Sequence, residues 1–369
     1  MDAIGIICEY NPFHNGHIYH INKIKEMYKN HIIILILNGY FLERGDISIE
    51  SKEEKTRLAL KYGVDLVIEH PFIFSSSSAD IFASSSIELL NELRVKKIVF
   101  GSETNDIDYL KEIAKKQLEN DDKVKEFLKE GINYPTALNK VTESNIKLPN
   151  DLLALSYIKA ILKNNYDIEP ISIKRTNDFH DTKSNDSIIS ATNIRNKIKN
   201  NIDITNYIPE GKINKIDDDL LFTLLKYKIL TDNDLSKYLT VDEGIENRLK
   251  KVVNNVNSID DLIEKTKSKR YTTNRIRRML IHILIGLTKE DKAKVTKNDY
   301  IRILGLSKLG QLYINSIKKD INIPLITKFT SINSIIKDYE LRCAYVYKLL
   351  TNDDVLKFEL GNKPLKKED

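Results

Sequence analysis

The chain has 369 residues, 41% hydrophobic and 30% charged. That is longer than one ordinary domain, and the composition excludes a disordered polypeptide. Its 58 basic and 53 acidic residues leave a net charge of only +5, which excludes a polycation and confines any nucleic-acid surface to a local patch. Two cysteines, Cys8 and Cys343, supply neither a disulfide framework nor a metal set. The first residues lack a signal peptide's basic start and long apolar stretch, and the longest aliphatic run, "IIILIL" at 32–37, is too short to span a bilayer. A cytoplasmic protein without membrane association is expected.

"AIGIIC" (3–8) reads as a buried strand, followed by a helix over "GHIYHINKIKEMYKN" with Ile18, Ile21, Ile24 and Met27 along one side. "HIIILIL" (31–37) is a second strand. "SKEEKTRLALKYG" (51–63) is a helix opened by Ser51 and stopped by Gly63. "VDLVIE" (64–69) is the third strand, "SADIFASSSIELLNELR" a helix, and "KKIVFG" (96–101) the fourth strand. Apolar strands alternating with amphipathic helices predict βαβ units and a parallel sheet covered on both faces. Residues 106–165 are helical in pattern, and "EPISIKR" (169–175) reads as one more strand. A polar loop and a helix beginning near "SATNIRNKI" follow. Beyond residue 205, "DDDLLFTLLKYKILT", "NRIRRMLIHILIGL" and "LRCAYVYKLL" are amphipathic helices without strand alternation. The expected fold is therefore α/β: a parallel-sheet domain over 1–205, then an all-α domain over 206–369.

Ligands of such sheets bind beyond the carboxyl ends of the strands. That is where "EYNPFHNGHIYH" (9–20) lies, with three of the chain's seven histidines. From the residues alone, three readings stay open. The cluster is a zinc site, but His14, His17 and His20 spread over a turn and a helix, a poor set of directed ligands. It is a set of ordinary polar residues at a helix start. Or it is a phosphate site, in which Gly16 lets the backbone approach closely, the helix N-terminus offers N–H groups, and imidazole donors at His14 and His17 stabilise charge on an α-phosphate under attack.

"HNGH" resembles the HxGH signature of the nucleotidylyltransferase superfamily, and "ISATNIR" (189–195) resembles its second signature. There Ser190 and Thr192 are expected to cap a helix while Arg195 neutralises the leaving diphosphate. "GIICEYNPFHNGHIYHI", "FLERGD" (41–46), "GVDLVIE" (63–69), "FGSE" (100–103), "LPNDLLALSYIKA" (148–160) and "IKRTNDFHD" (173–181) run in order like the tRNA(Met) cytidine acetate ligases. The likeness continues through "KRYTTNRIRRML" (269–280) and "YIRILGLSKLG" (300–310). It implies a Rossmann-like nucleotidylyltransferase domain and a two-step reaction. Acetate and ATP form acetyl-adenylate and diphosphate, and the exocyclic amine of the wobble cytidine of elongator tRNA-Met then takes the acetyl group, giving N4-acetylcytidine and AMP.

The resemblance also implies the site. The ATP-binding segment comprises Ile7, Cys8, Glu9, Tyr10, Asn11, Pro12, Phe13, His14, Asn15, Gly16, His17, Ile18, Tyr19 and His20, joined by Gly101, Asn150 and Arg175. His14 and His17 are the catalytic donors. Gly101 leaves room for the nucleotide, Asn150 caps a helix or bonds a phosphate or ribose, and Arg175 grips a phosphate. Magnesium is expected to bridge the phosphates, although no carboxylate pair announces its ligands and no metal-binding residue is assigned. The family's second loop usually reads Ser-Gly-(Asn or His)-Phe-x-Gln-Arg-Gly-Glu. Here it is "NGYFLERGD" (38–46), with Glu43 and Asp46 as departures, so only Arg44 is carried over as a candidate. His70 reads as structural, and His180 and Asp181 either organise a turn or approach the acetate.

"KSKRYTTNRIRRML" (267–280) holds six bases and no acid. With Arg270, Arg275, Arg277 and Arg278 for phosphates and Tyr271 for stacking, it is the candidate tRNA surface, against a plain solvated helix face. No protein partner is implied. Two alternatives remain at this point: an adenylyltransferase acting on a small coenzyme precursor, and a non-catalytic RNA-binding protein. The additional helical half argues against the first and the intact signatures against the second.

Overall fold

β1 (Ala3–Cys8) and β2 (Ile32–Asn38) are apolar at nearly every position because both lie inside a sheet with helices on its two faces. A computed structural model describes residues 1–132, 134–175, 187–361 and 363–367. Between these strands runs α1 (Asn15–Met27), burying Ile21 and Ile24. Then follow α2 (Lys52–Lys61), β3 (Leu66–His70), α3 (Phe72–Ser75), α4 (Ala79–Glu92) and β4 (Lys97–Ser102). Ser51 caps α2 by accepting the Glu54 N–H, as its place in the sequence predicts. Four helices come next, α5 (Ile107–Glu119), α6 (Asp121–Lys129), α7 (Tyr134–Thr142) and α8 (Pro149–Lys163), before β5 (Glu169–Lys174) and α9 (Ala191–Lys199).

The five strands are parallel and run in the order β5-β4-β1-β2-β3. Strand order reverses at β1. There β1 pairs with β2 along its whole length but with β4 only at Ile4↔Lys97 and Gly5↔Ile98. The two central strands therefore part toward their carboxyl ends and open a crevice at the point where such folds bind ligands.

The second half is rich in helix: α10 (Asp218–Thr231), α11 (Ile245–Val253), α12 (Ile259–Thr266), α13 (Thr273–Ile285), α14 (Lys289–Lys294), α15 (Lys308–Ile317), α16 (Ile335–Thr351) and α17 (Leu356–Glu359). The α/β class with a mostly parallel sheet holds, but the strictly all-α reading of 206–369 needs correction. β6 (Ile301–Leu306) pairs antiparallel with β3, and β7 (Leu325–Ile326) and β8 (Leu365–Lys366) lie beside β6. "IRILGL" hides its strand character because a charge interrupts it. Arg302 is nevertheless buried, held by Glu69 at 3.0 Å and by Glu359 at 2.5 Å. Among the described residues, no helix is long and apolar enough to cross a membrane.

That buried arginine belongs to an ion cluster joining the two halves. Lys52 of α2 lies 2.5 Å from Glu69 of β3, 2.9 Å from Glu340 of α16 and 2.9 Å from Glu359 of α17, all without solvent exposure to speak of. Three carboxylates face two cations. Burial and the neighbouring Glu69 raise Glu340 well above an ordinary carboxylate, whereas Arg302 and Lys52 outweigh burial at Glu359 and hold it low. Removing one partner of such a group leaves uncompensated buried charge. Lys52→Met should therefore cost about 3–5 kcal/mol of stability in urea unfolding; a loss below about 1 kcal/mol would mean that the cluster contributes no more than a surface pair.

Candidate active site

The β1/β4 crevice opens into a cavity of about 380 Å³. One wall is the β1–α1 turn, which is held from three sides. Lys55, buried in α2, donates to the carbonyls of Glu9, Asn38 and Gly39 at 3.0, 2.7 and 2.7 Å. The Phe13 N–H donates to Glu50 at 2.7 Å, and Asn11 Oδ1 accepts from the Ile49 N–H at 2.9 Å. The Asn15 amide side chain donates to the carbonyls of Ser187 and Asn206, both at 2.9 Å. Arg195 donates to the Asn11 carbonyl at 2.7 Å. The two signature segments, far apart in sequence, are thus bonded to each other.

Within this frame the histidines form an unusual helix cap. His14 is the N-cap of α1, and its Nδ1 accepts the Gly16 N–H at 3.0 Å. Three residues on, His17 Nδ1 accepts the His14 N–H at 3.1 Å. This is a reciprocal capping box with imidazoles in place of the usual Ser and Glu. The rings lie 3.9 Å apart. Gly16 makes room for this: a Cβ there would come 2.7 Å from His14 Cε1. Burial, aided by Arg175 and Arg195, lowers His14 to about 3. Burial, with His14, His20 and Arg175, takes His17 well below its ordinary value. Both rings are therefore neutral, and because each Nδ1 accepts, each Nε2 must carry the hydrogen. The pair is two N–H donors on a cavity wall. With Nδ1 accepting and Nε2 carrying the hydrogen, neither His14 nor His17 has a lone pair left for zinc. Among the described residues no group of three or more His, Cys, Asp or Glu is arranged to hold a metal ion.

Opposite, Arg175 follows β5, and its Nε has no bonding partner among the described residues. A Cβ on Gly101 would meet Arg175 Cγ at 3.3 Å, so the glycine at the end of β4 makes room for this arginine. Ser190 caps α9 by accepting the Asn193 N–H at 3.2 Å. Thr192 lies inside the helix and bonds Arg195 rather than capping. Burial lowers His20 to about 4, with Arg175 contributing, and its buried Nε2 also lacks a partner among the described residues.

Of the expected nucleotide residues, Ile7 to Asn11, His14, Gly16, His17, Tyr19, His20, Gly101, Asn150, Arg175, Ser190, Thr192 and Arg195 line the cavity. Pro12, Phe13, Asn15 and Ile18 do not. Phe13 and Ile18 pack in the core and Asn15 staples the turn. Asn150 sits in the first turn of α8, whose cap is Leu148, and donates to Glu103. His180 and Asp181 lie outside the described residues. His70 is fully buried, bonded to Asn38 and Ser85, and away from the cavity.

The 38–46 loop contributes more than Arg44. Leu42, Glu43 and Asp46 also line the cavity. Asp46 pairs with Arg277 and Glu43 with Arg278, each at 2.7 Å. Gly45 makes this docking possible. Its φ is +78°, and a Cβ would fall 2.4 Å from the Arg277 carbonyl carbon and the Arg278 nitrogen. Glu43 and Asp46 are so engaged, and among the described residues no carboxylate group is arranged to hold magnesium. Leu152, Leu153 and Tyr157 of α8 also line the cavity; their helical spacing reads as core, which concealed them.

The expected tRNA patch divides. Tyr271 is 3% exposed, donates its hydroxyl to the Asp242 carbonyl and lies under Arg275, so its ring is closed to a base. Arg277 and Arg278 hold the loop. Arg270 is half-exposed and pairs with Glu243 at 2.9 Å, while Arg275, partly buried over Tyr271, lies 3.8 Å from Asp242 and donates to the Arg270 carbonyl.

A model of the HIGH nucleotidyl transferase family matches residues 1–361. The tRNA(Met) cytidine acetate ligase of a Geobacillus species is 37% identical, over 99% of this chain and all of that protein. The enzyme of the same name from Bacillus subtilis is 34% identical, over 95% of this chain and 92% of its own. Crystal structures of Thermotoga maritima TmcAL match over 99% of both chains at 26% identity, with TM-scores of 0.88 for the apo form and 0.84 for the form bound with alpha-thio ATP.

The tautomer assignment is directly testable. Nitrogen-15 NMR of labelled histidine should show Nδ1 bare and Nε2 protonated in both His14 and His17, unchanged from about pH 8 to about pH 5. A protonated Nδ1, or titration near the ordinary imidazole value, would contradict the donor pair.

Proposed function

Because this chain belongs to the tRNA(Met) cytidine acetate ligase family, we propose that it uses ATP to join acetate to a cytidine of tRNA(Met). In this reading acetate attacks the α-phosphorus of ATP and diphosphate leaves with the bonding electrons. The amine N4 of the wobble cytidine of the elongator tRNA then attacks the acetyl carbon and AMP leaves. The reading is carried by one observation: His14 and His17, whose Nδ1 atoms each accept a backbone N–H and so leave Nε2 to donate, line one crevice with Arg175 and Arg195.

Anhydride formation needs no covalent enzyme intermediate. It needs alignment of carboxylate and phosphate together with donors placed where negative charge grows. Neutral imidazoles suit this task, since a fixed donor costs no proton rearrangement as the reaction proceeds. The first N–H groups of α1 are taken by the Tyr207 carbonyl, His14 Nδ1 and the His14 carbonyl, so contact with a phosphate at this wall falls to the imidazoles. Arg175 and Arg195 supply the charge a departing diphosphate requires.

The helical portion, 206–369, is proposed to carry the tRNA, with Arg270 and Arg275 nearest to free phosphate contacts. Arg277 and Arg278 take a different part, holding the cavity loop in place. Action on tRNA implies a cytoplasmic location.

His14→Ala and His17→Ala should each lower acetate-dependent ATP–diphosphate exchange by about 10²–10³-fold while tRNA retention on filters stays near wild type; equal loss of tRNA retention would point to collapse of the fold. Arg275→Ala should weaken tRNA retention and reduce its salt dependence by about one counterion. Arg278→Ala, by contrast, should impair the exchange reaction itself. Unimpaired exchange in that variant would show that the loop holds its place without the ion pair.

A further inference from the structure

Joining cytidine N4 to an acetyl carbon requires that the amine lose a proton. The histidine pair cannot take it, because each Nδ1 already accepts an N–H and each Nε2 carries its own hydrogen. We propose that Glu9 is the general base of the acetyl-transfer step, taking the N4 proton on Oε2. This rests on the tRNA acetylation reading above.

Glu9 is the first residue beyond β1 and lines the cavity. Its Oε1 accepts the Asn38 side-chain N–H at 2.9 Å and the Glu43 backbone N–H at 2.7 Å. No donor among the described residues bonds Oε2. A carboxylate fixed through one oxygen and open at the other is oriented without being used up, which is what a base needs. The loop that fixes it is tied to α13 through Glu43–Arg278 and Asp46–Arg277. Glu9 is therefore bonded to the same loop that docks on the helical half, the portion proposed to carry the tRNA.

The ionisable groups around it are Cys8 on β1, Glu43 and Arg44 on the loop, Lys55 on α2, Tyr157 on α8 and Arg195 on α9. Burial raises Glu9 to about 7, opposed by the Glu43 N–H, reinforced by the Glu43 carboxylate and opposed again by Arg44 and Lys55. That value matches a base working at neutral pH. Two rivals fit less well. His20 Nε2 has no bonding partner among the described residues, but burial, with Arg175, holds the ring near 4. Glu50 is raised to about 8 but is buried, accepts the Phe13 N–H and does not line the cavity. The step balances: the N4–C bond forms, the C–O bond to AMP breaks with its electrons going to the phosphate oxygen, and the proton passes to Glu9 and then to solvent.

Glu9→Gln keeps an oxygen for the Asn38 and Glu43 donors while removing the base. Two rates are compared in the full-length enzyme: acetate-dependent ATP–diphosphate exchange, and single-turnover transfer from enzyme-bound acetyl-adenylate to tRNA. Transfer should fall about 10²-fold or more relative to exchange. The wild-type transfer rate should rise with pH through about 7, and the variant should lose that limb. Equal losses in both rates, or a limb that persists in the variant, overturns the assignment. Absence of exchange or of N4-acetylcytidine in the wild type would instead refute the ligase reading, and the assignment would fall with it.

Discussion

Two backbone N–H groups fix the chemistry of this protein. Those of Gly16 and His14 each donate to an imidazole Nδ1, and a neutral imidazole that accepts on one nitrogen must donate from the other. The helix start thereby chooses the tautomer of both rings. Its own need for capping is met by one edge of each ring, and the opposite edge is left to donate to the proposed phosphate. A serine or aspartate would cap α1 as well but would leave nothing to donate across the cavity. Burial keeps the arrangement neutral, so the donors stay in place over the working pH range.

The second constraint is the dependence of the cavity on the helical half. Its 38–46 wall docks on α13 through two ion pairs and the close approach at Gly45. Beneath it, Lys52 and Arg302 bind three carboxylates drawn from β3, α16 and α17. β6 extends the sheet of the first half. Sequence places a boundary near residue 205, yet hydrogen bonds and charges cross it at several places. A nucleotide site whose wall is held by the element proposed to carry tRNA has a physical route for linking the two substrates, because loss of Arg278 would free the loop that anchors Glu9.

Much of this was legible in the residues. The alternation of aliphatic runs with amphipathic helices sufficed for the five parallel strands, and the Ser51 and Ser190 caps declare themselves by residue type. The two signatures, placed after the first and fifth strands, located the cavity. Partnership was not legible. A basic segment shows its charges but not its counterions, so Arg277 and Arg278 read as free for tRNA although Asp46 and Glu43, some 230 positions earlier, engage them. Tyr271 reads as a stacking ring because its bond to the Asp242 carbonyl has no local trace. Arg302 disguises β6 for the same reason. Pattern reports what each residue offers, and only the fold reports what has already been taken.

The central claim is that the capping histidines turn their Nε2–H groups to the α-phosphate of ATP. The most direct measurement is a crystal structure of this protein with a non-reactive ATP analogue. Both Nε2 atoms should lie about 2.7–3.2 Å from oxygens of the innermost phosphate, with the Gly16 and His14 N–H bonds to Nδ1 intact. An α-phosphate bound away from the pair, or rings turned so that Nδ1 faces it, would contradict the account.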